Sequence, residues 1–291
     1  MRKKSMMQSL ALAGCMTALN AIFVFFSSLS GAFFFSDLFL VLFLPLITVI
    51  LSLFAKRSML ICYFFASVLI CLLIQWEKTL FYLIPSLFSG FLFAFLLEKK
   101  VHALWIVVFS TILNIILSML LFWISSWYLQ ISMSDAFKEI FHLSDQKAKE
   151  IFPLFICFTS MVQSVLCSLI IFSEAKKFQI EIKLNDHPCF FLLIGSICFS
   201  TLCGIFLYWF PTISYTLLGL SFFSFLPSFY YFIHEKKYIL LGISGAICIF
   251  GFALFSTFLP NYGILPLCYW VLIHSIFGLI LYQRSHHNHV N

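Results

Sequence analysis

The chain has 291 residues, of which 10% are charged and 63% hydrophobic, with a mean hydropathy of +1.07. A soluble domain carries about a quarter charged residues and about half apolar ones, so this composition excludes a water-facing globule and points to lipid as the solvent. The formal charge of +6 resides in short segments between apolar runs, and no basic cluster is interleaved with aromatics as a nucleic-acid surface requires.

The chain opens with Arg2-Lys3-Lys4 and an apolar run. Leu12-Ala13-Gly14-Cys15 has the form of a lipoprotein cleavage site, but Gln8 and Ser9 interrupt the short apolar stretch before it, and Met16 to Phe26 continue apolar beyond it. The expectation is therefore a retained first helix over 8–29 rather than a cleaved signal. Ala11, Gly14 and Ala18, with Ala21, fall at spacings of three and four and gather small residues on one face. Inside lipid such a face lets another helix approach closely, either within the chain or on a separate membrane partner.

From Asp37 to Lys100 the chain alternates apolar runs with Lys56-Arg57, Glu77-Lys78 and Glu98-Lys99-Lys100. Runs of roughly 20 apolar residues suffice to span a bilayer. They predict ten spans, at 8–29, 38–55, 58–75, 79–97, 103–129, 151–173, 189–210, 214–233, 238–259 and 264–282. With the N-terminus in the cytoplasm, thirteen Lys and Arg residues fall inside. Lys78, Lys138, Lys147 and Lys149 fall outside. That is the asymmetry expected of cytoplasmic loops. The expected fold is thus all-α: a polytopic integral membrane protein of about ten transmembrane helices with both termini cytoplasmic. The one long outer connection, Gln130 to Glu150, places Ala136, Phe137, Ile140 and Phe141 on one face after Ser134, which predicts an amphipathic surface helix.

Chemistry-bearing residues are sparse. All eleven carboxylates lie at span ends or in loops, whereas proton-coupled transporters keep an ionisable group within the membrane. There is no G-x-x-x-x-G-K-[ST] string for ATP and no paired acidic motif for magnesium. No cofactor or metal is therefore expected. The ten cysteines all lie in apolar segments without zinc-ligand spacing and read as packing residues. Asn20, Asn114 and Gln163 each lie about 17 Å along their spans, near the middle of a ~30 Å core. Such amides either line a pocket for an uncharged, hydrogen-bonding ligand or bond across helices. Gly242-Ile243-Ser244-Gly245 with His274 resembles the serine site of rhomboid intramembrane proteases, although the histidine and asparagine helix that supports the oxyanion there has no counterpart here. A tight helix contact is the competing reading. The tail His286-His287-Asn288-His289 reads as a disordered cytoplasmic end.

Leu44-Pro45-Leu46, Lys56-Arg57, Leu83-Ile84-Pro85, Ser89-Gly90 and Glu98-Lys99-Lys100 together resemble the YybS-like family of bacterial multi-pass membrane proteins. That family is distantly similar to the substrate-binding S components of energy-coupling-factor transporters. The likeness covers about residues 6–173, while 189–282 add four spans to one integral membrane domain of 1–291. It implies a substrate-binding subunit in the bacterial inner membrane, served by a separate ATPase and transmembrane module. Asn20, Asn114 and Gln163 would face the small molecule, which would enter near Gln130–Glu150, and Ala11, Gly14 and Ala18 would meet the partner. Two alternatives are a structural or assembly membrane protein without a ligand, and an intramembrane serine hydrolase using Ser244 and His274.

Overall fold

A computed structural model describes residues 5–29, 34–124, 126–127, 138, 144–174, 177, 182, 187–234, 237–258 and 263–290. Among them there is no strand. Ten long helices follow one another: α1 (Met6–Leu29), α2 (Phe34–Phe54), α3 (Arg57–Ile74), α4 (Trp76–Glu98), α5 (Ala103–Ile124), α6 (Asp145–Ser173), α7 (His187–Phe206), α8 (Pro211–His234), α9 (Tyr238–Phe258) and α10 (Leu265–Val290). Eight are long and apolar enough to cross a membrane. In α2 and α9 the described apolar stretches, Phe43–Phe54 and Ile239–Phe255, are shorter. The protein is an all-α, multi-pass membrane protein. Its outward faces carry large apolar side chains such as Leu73, Phe65, Ile247 and Phe250, as a surface solvated by lipid requires.

The helix boundaries follow local chemistry. Gln75 alone is extended between α3 and α4, so the hinge at Glu77-Lys78 is already the first turn of a new helix. That helix widens into a π segment at Thr79–Leu83, where the Ile84 N–H reaches back to the Thr79 carbonyl. Pro85 follows, and a proline in a helix removes one donor and crowds the carbonyl four residues earlier, which the wider turn accommodates. At the other end Lys100 adopts φ 54°, and the Val101 N–H closes onto the Leu96 carbonyl at 3.1 Å. This left-handed cap reverses the chain within a few residues and starts α5 at Ala103. The Lys78 ammonium donates to the carbonyl of Ser27 in the last turn of α1, where the helix dipole favours a cation.

The chain divides into two compact units, residues 1–142 with 159–184, and 143–158 with 185–291. Helix α6 thus contributes its first half to the second unit and its second half to the first. In the first unit α1 packs on α2 and α3, and α4 on α2 and α5. The α2–α4 approach depends on Gly90, since a Cβ there would lie 2.8 Å from both the Pro45 carbonyl oxygen and Thr48 Cβ. In the second unit α7, α8 and α10 pack on one another and α9 lies against α10. A Cβ on Gly278 would lie 2.8 Å from Ser228 Cβ, so α10 and α8 meet through small residues, the device that membrane helices use for close packing.

The outer surface helix expected around Ala136 to Phe141 falls almost wholly outside the described residues. The C-terminal tail differs from expectation. Helix α10 runs on through His286-His287-Asn288-His289 to Val290, because no glycine or proline lies between Gly278 and the chain end to stop it.

Candidate functional site

Among the described residues, the polar side chains singled out in the sequence fall into three buried clusters. The first joins α1, α2 and α3 in the first unit. The Asn20 amide nitrogen donates to the Tyr63 hydroxyl at 2.8 Å and to Ser67 Oγ at 3.3 Å. Thr48 Oγ1 lies 3.1 Å from the Tyr63 hydroxyl, and Ser67 donates to Thr17 at 3.3 Å. All five residues are buried. Asn20 Oδ1 has no hydrogen-bond partner. A buried acceptor left open costs about 1–3 kcal/mol, which is recovered if a donor reaches it.

The second place joins α4, α5 and α6. The Asn114 amide donates to Gln163 Oε1 at 2.6 Å, and the Gln163 amide donates to Ser86 Oγ at 2.7 Å. Of the three amides singled out in the sequence, Asn114 and Gln163 therefore meet directly, while Asn20 belongs to a separate cluster. The partners Tyr63, Thr48, Ser67 and Ser86 escaped sequence reasoning. A signal did exist: Thr17 and Asn20 stand three apart, and Tyr63 and Ser67 four apart, so each pair shares a helix face.

The third place lies in the second unit, where α9 meets α10. Ser244 Oγ is 2.8 Å from His274 Nε2, and His274 Nδ1 is 2.9 Å from the Trp270 carbonyl oxygen. A carbonyl only accepts, so Nδ1 carries the proton and Nε2 of the neutral ring presents its lone pair to the serine hydroxyl. The Trp270 indole N–H donates to Ser244 Oγ at 3.2 Å, and the Leu241 carbonyl lies 3.0 Å from that same oxygen as a competing acceptor. His274 is buried and Ser244 half-buried. Gly242 has open space where a Cβ would be. The Ser244–His274 pair that the G-x-S-G string raised is thus within hydrogen-bond distance, with an indole donor that the sequence did not suggest. Ser244 sits within a helix, however, so the neighbouring backbone N–H groups are committed to the helical ladder. Among the described residues, the Trp270 indole is the donor beside the hydroxyl that an oxyanion could use.

Beside this cluster a serine seam holds α7, α8 and α10 together. Ser196 donates to the Ser221 carbonyl at 3.0 Å and lies 2.8 Å from Ser275 Oγ. Ser221 and Ser228 turn their hydroxyls back to carbonyls three residues earlier in α8. Small side chains that satisfy their own polar atoms can be buried at little cost, which explains serine in the interior of a membrane domain. Cys203 and Cys268 sit in the same region with sulfurs 3.1 Å apart. Among the described residues no three His, Cys, Asp or Glu side chains gather as metal ligands.

The predicted partner-contact residues occupy a different setting. Ala11, Gly14 and Ala18 are all exposed on α1, and a Cβ on Gly14 would meet nothing within 4 Å. The opposite face of the same helix buries Ala13, Thr17, Asn20 and Val24. No family model, curated protein or solved structure matches the chain.

Proposed function

We propose that this protein is a substrate-binding membrane subunit that works with a separate energising module. The observation that supports this reading is the small-residue stripe of α1, which this chain leaves uncovered at Ala11, Gly14 and Ala18. Large apolar side chains such as Leu10, Leu19 and Ile22 are exposed on the same helix, and the small-residue stripe between them lets a second helix pack closely, a contact that lipid tails do not replace. The same helix carries Asn20, whose open Oδ1 would accept a hydrogen bond from an uncharged ligand. A partner holding one face of α1 would then shift the ligand-contacting face with it. Asn114 and Gln163 would serve the ligand only by exchanging their mutual bond for one to it. In this reading the chain lies in the bacterial inner membrane, with both termini in the cytoplasm.

The test is copurification of the tagged full-length protein, with in-membrane crosslinking. The expected result is an ATPase or transmembrane companion that is recovered with the wild type and lost with Gly14→Trp. A tryptophan at that outward position leaves this chain's own packing intact. Recovery without any such companion would end the proposal.

A second reading rests on the Ser244–His274 contact, which suits a serine nucleophile acting within the membrane. It predicts that a fluorophosphonate probe labels Ser244 in native membranes and that His274→Ala removes the label. Absence of labelling leaves the cluster as a tie between α9 and α10.

A further inference from the structure

The first unit carries a groove between α3 and α4 that neither reading uses. It encloses about 440 Å³. Ile61, Phe64 and Phe65 of α3 and Phe88, Phe91 and Phe95 of α4 form its walls, and the lining is otherwise apolar except at one end. At that end Arg57 opens α3 and Glu98 closes α4, with guanidinium and carboxylate 3.5 Å apart. The Arg57 side chain is 74% exposed, so most of its donors point away from the pair. Ser52 of α2 lines the same end. It is only 5% exposed, and its hydroxyl has no partner.

The dimensions identify the kind of occupant. From Glu98 to Phe88 is ten residues of helix, or about 15 Å, and from Arg57 to Phe65 about 12 Å. Half of a ~30 Å hydrocarbon core is the same length, so the groove is as deep as one leaflet. Ile61, Phe65, Phe88 and Phe95 remain substantially exposed along it, so it opens sideways to lipid. A chain entering from the bilayer meets aromatic walls along its length and polar groups only where a headgroup would lie.

We propose that this groove holds one ethanolamine phospholipid. One acyl chain lies along the groove, over the floor where the Phe64 ring meets those of Phe88 and Phe91 at centroid distances of 5.3 and 6.4 Å. The Ser52 hydroxyl donates to an ester carbonyl, the Arg57 guanidinium binds the phosphate, and the lipid ammonium donates to the Glu98 carboxylate. A cation and an anion side by side match a zwitterion whose own charges are adjacent. Choline has no N–H to give Glu98, and a glycerol headgroup offers the carboxylate no cation.

The inference is independent of any partner on α1, and its test needs no transport assay. The purified full-length chain is reconstituted into nanodiscs containing equal amounts of ethanolamine, choline and glycerol phospholipids with identical tails. It is then released into mild detergent, and bound lipid is read by native mass spectrometry. One ethanolamine lipid per chain is expected, at about a fivefold excess over each of the others, the effect of a single charged contact near the membrane surface. Arg57→Gln should lower the retained lipid, Glu98→Gln should remove the preference among headgroups, and Ile61→Trp should displace the tail from the lipid side. Should Arg57→Gln fail to fold, crosslinks from a diazirine-tailed ethanolamine lipid on the wild type are mapped instead; they should fall within 57–65 and 88–98. Equal retention of all three lipids, retention unchanged by Ile61→Trp, or crosslinks confined to other helices would overturn the proposal.

Discussion

Asn114 and Gln163 show what a single polar residue does in this protein. Each would strand a buried amide if alone; together with Ser86 they close a chain of bonds of 2.6 and 2.7 Å. Removing one partner costs more than removing both, because the survivor is left desolvated and unpaired. Gln163→Leu is therefore expected to lower stability by about 1–2 kcal/mol, and the Asn114→Leu/Gln163→Leu double variant by less than the sum of the two single changes. Thermal unfolding of the three variants in detergent measures the difference; strict additivity would show that the bonds contribute nothing jointly. The sequence marks these amides as unusual because they interrupt apolar runs. Their pairing depends on the rotation of α5 and α6 about their own axes, and hydropathy carries no information about that angle.

Among the elements, the helices are held apart or together by what their contact faces lack. Gly90 admits α2 to within touching distance of α4, and even a methyl group would meet a backbone oxygen at 2.8 Å. Gly204 in α7 has nothing within 4 Å of its Cβ position. Gly90→Ala is thus expected to cost about 1–3 kcal/mol by overpacking, while Gly204→Ala is neutral or slightly stabilising through helix propensity. Paired melting curves decide this, and equal behaviour of the two variants would contradict the packing described here. Neither outcome is visible in the sequence, where both glycines interrupt a similar apolar run. The ends of the elements are a different matter. Lys56-Arg57 and Glu98-Lys99-Lys100 stand within two residues of the helix boundaries observed, since charge acts locally on the backbone, whereas the helix expected from 214 begins earlier, at Pro211, a favoured first helical residue.

For the whole molecule, the multi-pass helical architecture rests on composition and is matched by eight helices of spanning length and apolarity. The sidedness is a further expectation from the loop charges. It predicts that a reporter fused after Lys100 faces the cytoplasm and one fused near Phe141 faces the opposite compartment. Reporters active on the same side at both positions would require an even number of crossings between them and would undo the entry route expected near Gln130–Glu150. The groove between α3 and α4 belongs to this scale too, since its ionic end needs the start of one helix and the end of the next to reach the same level.

The sequence by itself determined that the chain lives in lipid, roughly where its apolar helices lie, and which amides, serine and histidine stand out against an apolar background. Those properties come from transfer free energy and local backbone preference, which are summed residue by residue. Only the tertiary structure decided that Ser244 meets His274, that Asn20 bonds to Tyr63 rather than to the other amides, and that Arg57 and Glu98 cap an apolar groove. Such meetings depend on helix rotation and register, and inside a membrane those are set by the fit of small and large side chains across each contact. Hydropathy is nearly blind to that fit, because almost every residue along these faces is apolar.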